Sequence, residues 1–185
     1  MSIKIRLVTV EDAEFILRLR NNPQLNKHLN FTSPSFDGQV EWIRNYKLRE
    51  HNKTELYYVT VEDGIRKGLY RLYDINNVSF TIGSWLFEEC ENKKIAIMVD
   101  LLMGDLGFYV LKKKVLLFDV RKDNKNVIRY HLLKSPLNYS EDEKNNYYLI
   151  LKEKWENAKK HVLSFFSITT EEYEAVKAES GIPYF

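Results

Sequence analysis

Residues 91–109, ENKKIAIMVDLLMGDLGFY, set an asparagine and two lysines at the head of an apolar helix. A helix start presents free N–H groups and the positive end of the dipole, so it attracts anions. Asn92, Lys93, Lys94 and Ile95 could hold a diphosphate there through N–H groups and ammonium contacts. Glycines usually build such a cradle because the backbone must approach the phosphates closely. Asn92 tolerates unusual backbone angles, and Lys94 adds bulk together with charge. The same residues also read as a solvated helix start. Arg20, followed by Asn21, offers a guanidinium suited to bidentate contact with a diphosphate or carboxylate, or to a surface salt bridge. Tyr70-Arg71-Leu72-Tyr73 could stack a sugar or a base, although alternation assigns half of it to the core. Asp74, Glu88 and His131 are side chains that could accept a proton. Asp74 reads more simply as a turn former before Asn76-Asn77.

Other chemistries are argued against by composition. The 28 basic and 26 acidic side chains leave a net charge of +2, too little for a dedicated nucleic-acid or anionic-membrane binder. Lys112-Lys113-Lys114 suits the end of a helix, where cations complement the dipole. A single cysteine, Cys90, permits no internal disulfide and no multi-cysteine zinc site. His28, His51, His131 and His161 lack metal-ligand spacing, so no metal is expected. MSIKIRLVTV is too short and charged for a signal peptide, and no apolar run approaches about 18 residues. A soluble, cytoplasmic protein is expected.

Periodicity supplies the elements that must position these residues. IKIRLVTV alternates as a half-buried strand. A helix opens at Glu11-Asp12 and ends at Asn21-Asn22-Pro23, because proline disfavours helical angles in the residue before it. A second helix begins after Ser35-Phe36-Asp37. LYYVTVE, the Asp63-Gly64 turn, IRKGLYRLYDI, a turn at Asn76-Asn77 and VSFTIGSWLF form an antiparallel meander. The helix opened by ENKK follows. VLLFDV, almost wholly apolar, reads as a strand buried on both faces. DNKNVIRYHLLK reads as a helix, NYYLILK as the last strand and EKWENAKKHVLSFF as another helix. Thr169-Thr170-Glu171-Glu172 resembles a helix N-cap. One α/β domain is expected over residues 1–152. The helical extension, 153–185, either packs on it or mediates association, leaving a homodimer open.

The order and several local segments resemble the GNAT superfamily of acetyl-CoA-dependent N-acetyltransferases, in the branch of ribosomal-protein N-terminal and nucleotide-linked amino-sugar acetyltransferases. Leu19-Arg20-Asn21 with Asn22-Pro23 is similar to the Trp-Arg-Asn segment that ends the first helix in sugar-modifying members. Gly83-Ser84-Trp85-Leu86 falls where the family's central strand splays to admit the cofactor. Asp105-Leu106-Gly107-Phe108 resembles the Asp-Tyr-Ala-Phe ending of the cofactor-side helix. VRKDNKNVIRYH, residues 120–131, resembles a segment in which a tyrosine follows an asparagine by seven residues. The likeness spans about residues 3–155. It implies a single domain with a mixed, mostly antiparallel central sheet flanked by helices.

Two departures stand out. Glu89, Asn92 and Lys94 occupy the family's pyrophosphate-loop positions, normally Gln or Arg and then glycines. His131, with Tyr130 beside it, occupies the position of the tyrosine that protonates the departing thiolate. The resemblance implies direct acetyl transfer to a primary amine, with acetyl-CoA as co-substrate and a nucleotide-linked amino sugar as the expected acceptor. Trp85, Leu86, Phe87 and Asn124 would hold the cofactor arm, and Arg20, Asn21, Tyr73 and Asp74 would meet the acceptor. Two alternatives remain open: acetylation of a protein N-terminus, and a non-catalytic binding module with an eroded cofactor loop.

Overall fold

The computed structural model describes residues 2–90 and 92–182. Strand β1 (Ile3–Leu7) leads through a short 3-10 turn into α1 (Ala13–Arg20), and then α2 (Phe36–His51). Ser35 caps α2 by accepting from the Gly38 N–H at 3.1 Å. The meander follows as β2 (Leu56–Glu62), β3 (Ile65–Tyr73) and β4 (Ser79–Phe87). Asp63 and Gly64 both take positive φ, +47° and +83°, as a tight hairpin turn requires. Next come α3 (Ile95–Asp105), β5 (Val115–Arg121), α4 (Lys125–Leu132), β6 (Leu137–Glu141) and β7 (Asn145–Leu151). Helices α5 (Lys152–Phe165) and α6 (Thr170–Glu179) complete the order. Thr169 and Glu172 form the capping box of α6.

These strands make one open sheet in the order β1-β2-β3-β4-β5-β7-β6. Every pairing is antiparallel except β4 with β5, which share only Ser79–Thr81 against Val115–Leu117. Beyond Thr81 the two strands part. Ile16, Leu19, Ile43 and Tyr46 of α1 and α2 cover one face over β2, β3 and β4. α3, α5 and α6 cover the other through Met98, Leu102, Trp155 and Tyr173. The C-terminal helices therefore share the core of the sheet. The Ile5 N–H donates to the Ser180 carbonyl at 2.7 Å, which ties the end of α6 to β1.

Three expectations need revision. β5 is buried on one face only: Leu116, Phe118 and Val120 are covered, whereas Asp119 is exposed. The α1–α2 layer stops at β4, so the second face of β5 has no helix over it. β6 is an additional strand whose five residues are all exposed, so no apolar alternation marks it. After Asp105, α3 continues as a π turn over Leu106–Val110, with the Leu111 N–H reaching the Leu106 carbonyl at 2.9 Å. Among the described residues no helix is long and apolar enough to cross a membrane, and no group of His, Cys, Asp or Glu could hold a metal ion.

Candidate active site

The fork between β4 and β5 organises the site. Leu69 pairs with Leu86 and Arg71 with Gly83, so Ser84 and Trp85 together oppose Tyr70 in a β-bulge. Ser84 takes a φ of +50°, a left-handed conformation that costs a non-glycine residue on the order of 1 kcal/mol and clusters at functional positions. The bulge sends the two side chains different ways. Ser84 turns into a cavity on the α1–α2 face, while the Trp85 indole packs 4.7 Å from the Tyr130 ring and donates to the Ala96 carbonyl at 3.1 Å. Past Thr81 the β5-facing edge of β4, including Leu86 and Phe87, has no strand partner. An open edge of this kind accepts an extended amide-bearing chain as an added strand, which fits the arm of acetyl-CoA.

The cavity measures about 330 Å³. Arg20, Thr32, Trp42, Tyr57, Arg71 and Ser84 define its chemistry. The Arg20 Nε donates to Thr32 Oγ1 at 2.7 Å and its Nη1 to Ser84 Oγ at 3.3 Å. Arg71 gives its Nε to Glu55 at 2.7 Å, and its guanidinium lies 4.8 Å over Tyr73 and 5.6 Å over Trp42. The Tyr57 side chain is buried beside Arg20, Arg71 and Ser84, yet its hydroxyl makes no well-formed hydrogen bond. Among the described residues, the only charged groups lining this cavity are the two arginines.

Asp119 lies two residues past the last paired rung, on the same face of β5 as Leu117. One side of this carboxylate is open to solvent. The surrounding strands still desolvate it enough to raise its pKa, with Asp142 adding to the rise. Burial, and secondarily the charge of Asp119, push the Tyr73 phenol up to about 12, which places the carboxylate near Tyr73. A half-open carboxylate with a raised pKa at the fork is suited to take a proton from an ammonium.

Below the fork, on the other face, Asp100 of α3 is buried and accepts from Tyr70 at 2.6 Å and from Tyr130, while Lys134 donates to the same carboxylate. Burial alone would raise the Asp100 carboxyl, but Lys134 and the hydroxyls hold it below the ordinary range. Burial lowers the Lys134 pKa against the pull of Asp100. His131 stacks on Phe118 at 4.3 Å. Burial, with the Lys134 charge adding to it, brings its pKa down to about 3, so the ring is neutral near pH 7.

Trp85, Tyr130 and His131 pack together beside the fork, Leu86 and Phe87 lie on the unpaired stretch of β4, and Arg20 enters the cavity. Other expected site residues take structural partners. Asn21 caps α1 through the Leu17 carbonyl at 3.0 Å. Asp74 is an exposed turn residue with φ of +49°, and Glu88 pairs with Arg18 at 3.0 Å. Asn124 caps α4 by accepting from the Val127 N–H at 3.3 Å. At the head of α3, Asn92 satisfies the Lys94 N–H at 2.9 Å with its side chain and the Ile95 N–H at 3.0 Å with its carbonyl. The Lys94 ammonium reaches the Ser167 carbonyl at 2.7 Å and Glu172 at 3.3 Å. Lys93 is exposed and makes no ion pair among the described residues, so it is the cation best placed to meet a diphosphate.

Calorimetric titration with acetyl-CoA is therefore expected to show weaker binding in Lys93→Glu by about 1 kcal/mol, the scale of one charge at a helix start. Unchanged affinity would place the diphosphate elsewhere. Sequence reasoning did not single out Tyr57, Trp42, Asp119, Asp100 or Lys134 for the site. Asp100 had a visible signal, an acid in the middle of an apolar helix; the others had none.

A family profile for the acetyltransferase (GNAT) domain matches residues 2–132. Spermidine N(1)-acetyltransferase of Escherichia coli K12 is 30% identical over 134 residues, 70% of each chain. Among solved structures, apo FdhC, described as a nucleotide-linked sugar GNAT, shares 36% identity with a TM-score of 0.77, over 90% of this chain and 94% of that one. Ribosomal-protein-S5-alanine acetyltransferase from Vibrio fischeri superposes with a TM-score of 0.71 at 15% identity, over 84% and 96% of the two chains, a likeness of fold.

Proposed function

The chain belongs to the GNAT family of acetyltransferases, enzymes that use acetyl-CoA, and within that family we propose that it N-acetylates an amino sugar carried on a nucleotide. The observation that carries this reading is the cavity beside the Ser84 bulge, with two arginines as its only charged lining among the described residues. A guanidinium with open N–H groups suits phosphate or carboxylate, and Trp42, with Arg71 5.6 Å over its ring, adds an aromatic wall to the cavity. The 36% identity to a nucleotide-linked sugar GNAT over nearly the whole chain supports it.

In this reading Arg20, Arg71 and the Tyr57 hydroxyl hold the acceptor with its amine toward the fork, and the open edge of β4 holds the thioester arm. Most of the rate comes from that alignment and from backbone N–H groups near Trp85 that polarise the carbonyl. Asp119 takes the proton that the ammonium must lose before its nitrogen can attack.

The E. coli relative favours a second reading, in which the acceptor is a polyamine. A polycation would need carboxylates, and the arginine lining disfavours it. Steady-state assays with amino-sugar nucleotides, spermidine and N-terminal peptides decide among these acceptors. Turnover should be highest with an amino-sugar nucleotide. Arg20→Ala should raise its KM about 10- to 150-fold, the equivalent of the 1.5–3 kcal/mol that a charge-assisted hydrogen bond is worth. Faster turnover of spermidine or of a peptide would overturn the proposal.

A further inference from the structure

The cavity beside the Ser84 bulge has a direction. Ser84 stands at the fork, the Arg20 Nη1 donates to its Oγ at 3.3 Å, and the Arg20 Nε donates to Thr32 Oγ1 at 2.7 Å. Phe31 precedes Thr32, lines the same cavity and is 90% exposed, more than any other large apolar side chain described. Gln39, in the first turn of α2, lines it too. This residue is only 8% exposed, yet among the described residues nothing bonds to its side-chain amide. A buried amide without a partner is costly, and an aromatic ring left in water gains from being covered. Both features fit a site that a ligand completes.

With the acceptor amine at the fork and its phosphates on Arg20 and Arg71, the rest of the molecule runs past Thr32 to the mouth. At about 330 Å³ the cavity is at the small end of those that enclose a drug-sized ligand, so a sugar and two phosphates leave little room inside for a base. Trp42 is no stacking platform: Tyr46 stacks on it at 5.7 Å, and the Arg49 and Arg71 guanidiniums lie over its ring at 5.4 and 5.6 Å. We infer that Phe31 and Gln39 form a subsite for the nucleobase of the acceptor, the Phe31 ring stacking on the base at the mouth and the Gln39 amide hydrogen-bonding its edge. The inference rests on the nucleotide-linked reading and adds what recognises the base. Every base has a π-face that an aromatic ring can cover, so stacking gives affinity without choice. A carboxamide presents a donor and an acceptor side by side, so Gln39 is the residue that distinguishes one base edge from another.

The test is calorimetric titration of the intact chain with thymidine, uridine, cytidine, adenosine and guanosine diphosphates, and with inorganic pyrophosphate. Coenzyme A is kept saturating, so that the cofactor's own diphosphate site is filled. At least one nucleoside diphosphate should bind more tightly than pyrophosphate. Phe31→Ala should weaken every nucleoside diphosphate by about 5- to 150-fold, the worth of one base–aromatic stack, and leave pyrophosphate unchanged. Gln39→Met keeps the length of the side chain without its amide, and it should narrow the spread among the bases by about 2- to 12-fold, the worth of a neutral hydrogen bond. Nucleoside diphosphates that bind no better than pyrophosphate, or equally well in Phe31→Ala, would overturn the subsite while leaving the arginines as phosphate ligands. An unchanged ranking of bases in Gln39→Met would overturn the edge contact. If neither pyrophosphate nor any nucleoside diphosphate binds, the nucleotide-linked acceptor itself falls, and the subsite with it.

Discussion

Asp119→Asn is expected to lower kcat by about 100- to 10,000-fold, the range that a positioned general base supplies, with the KM for acetyl-CoA near its starting value. The side chain keeps its shape and loses only its ability to take a proton. Asp119 is half open to water at the fork, its carboxyl is raised by burial and by Asp142, and it lies close enough to affect Tyr73. A base works only when deprotonated, so kcat in the wild type should rise with pH through the raised Asp119 pKa and then level off. The asparagine variant should lack that limb. Stopped-time assays across pH would show both effects. Wild-type kcat in Asp119→Asn would return the role to a solvent-borne base or to Glu88, which is bound to Arg18 on the surface.

Asp105→Ala should destabilise the protein by about 3–5 kcal/mol, the cost of leaving buried donors and a charge without their partner. Asp105 is 1% exposed and accepts from Trp155 Nε1 at 2.7 Å, Lys159 Nζ at 2.8 Å and Tyr173 OH at 2.8 Å. These three donors lie on α5 and α6, so one carboxylate pins both C-terminal helices to α3. Trp155 sits so close to α3 that a Cβ on Gly104 would fall 2.2 Å from its ring. The effect should lie toward the lower end of the range, because Lys159 keeps Glu156 at 3.0 Å. Urea unfolding measures the loss, and limited proteolysis should cut first between α5 and α6. An unchanged midpoint would mean that apolar packing alone holds the tail.

Part of this protein was legible in its residues. Strand-forming runs between turn signals mark β2, β3 and β4 in residues 56–87, Asp63-Gly64 marks their first turn, and Thr169 with Glu172 marks the start of α6, because each signal involves neighbours in the chain. Arg20 stood out by its type and by the resemblance of the segment that ends α1, and it lines the cavity beside Ser84. Tertiary structure alone decided the rest. Periodicity tells which side of an element is covered, not what lies across from it. It could not show that the α1–α2 layer stops at β4 and leaves Asp119 uncovered. The Lys94 ammonium finds its partners 73 and 78 residues away, on the tail rather than on an anion. Asp100 gathers Tyr70, Tyr130 and Lys134 from 30 to 34 residues away. Such contacts exist only once the sheet order is set, and that order depends on distant surfaces burying one another, which no local pattern encodes.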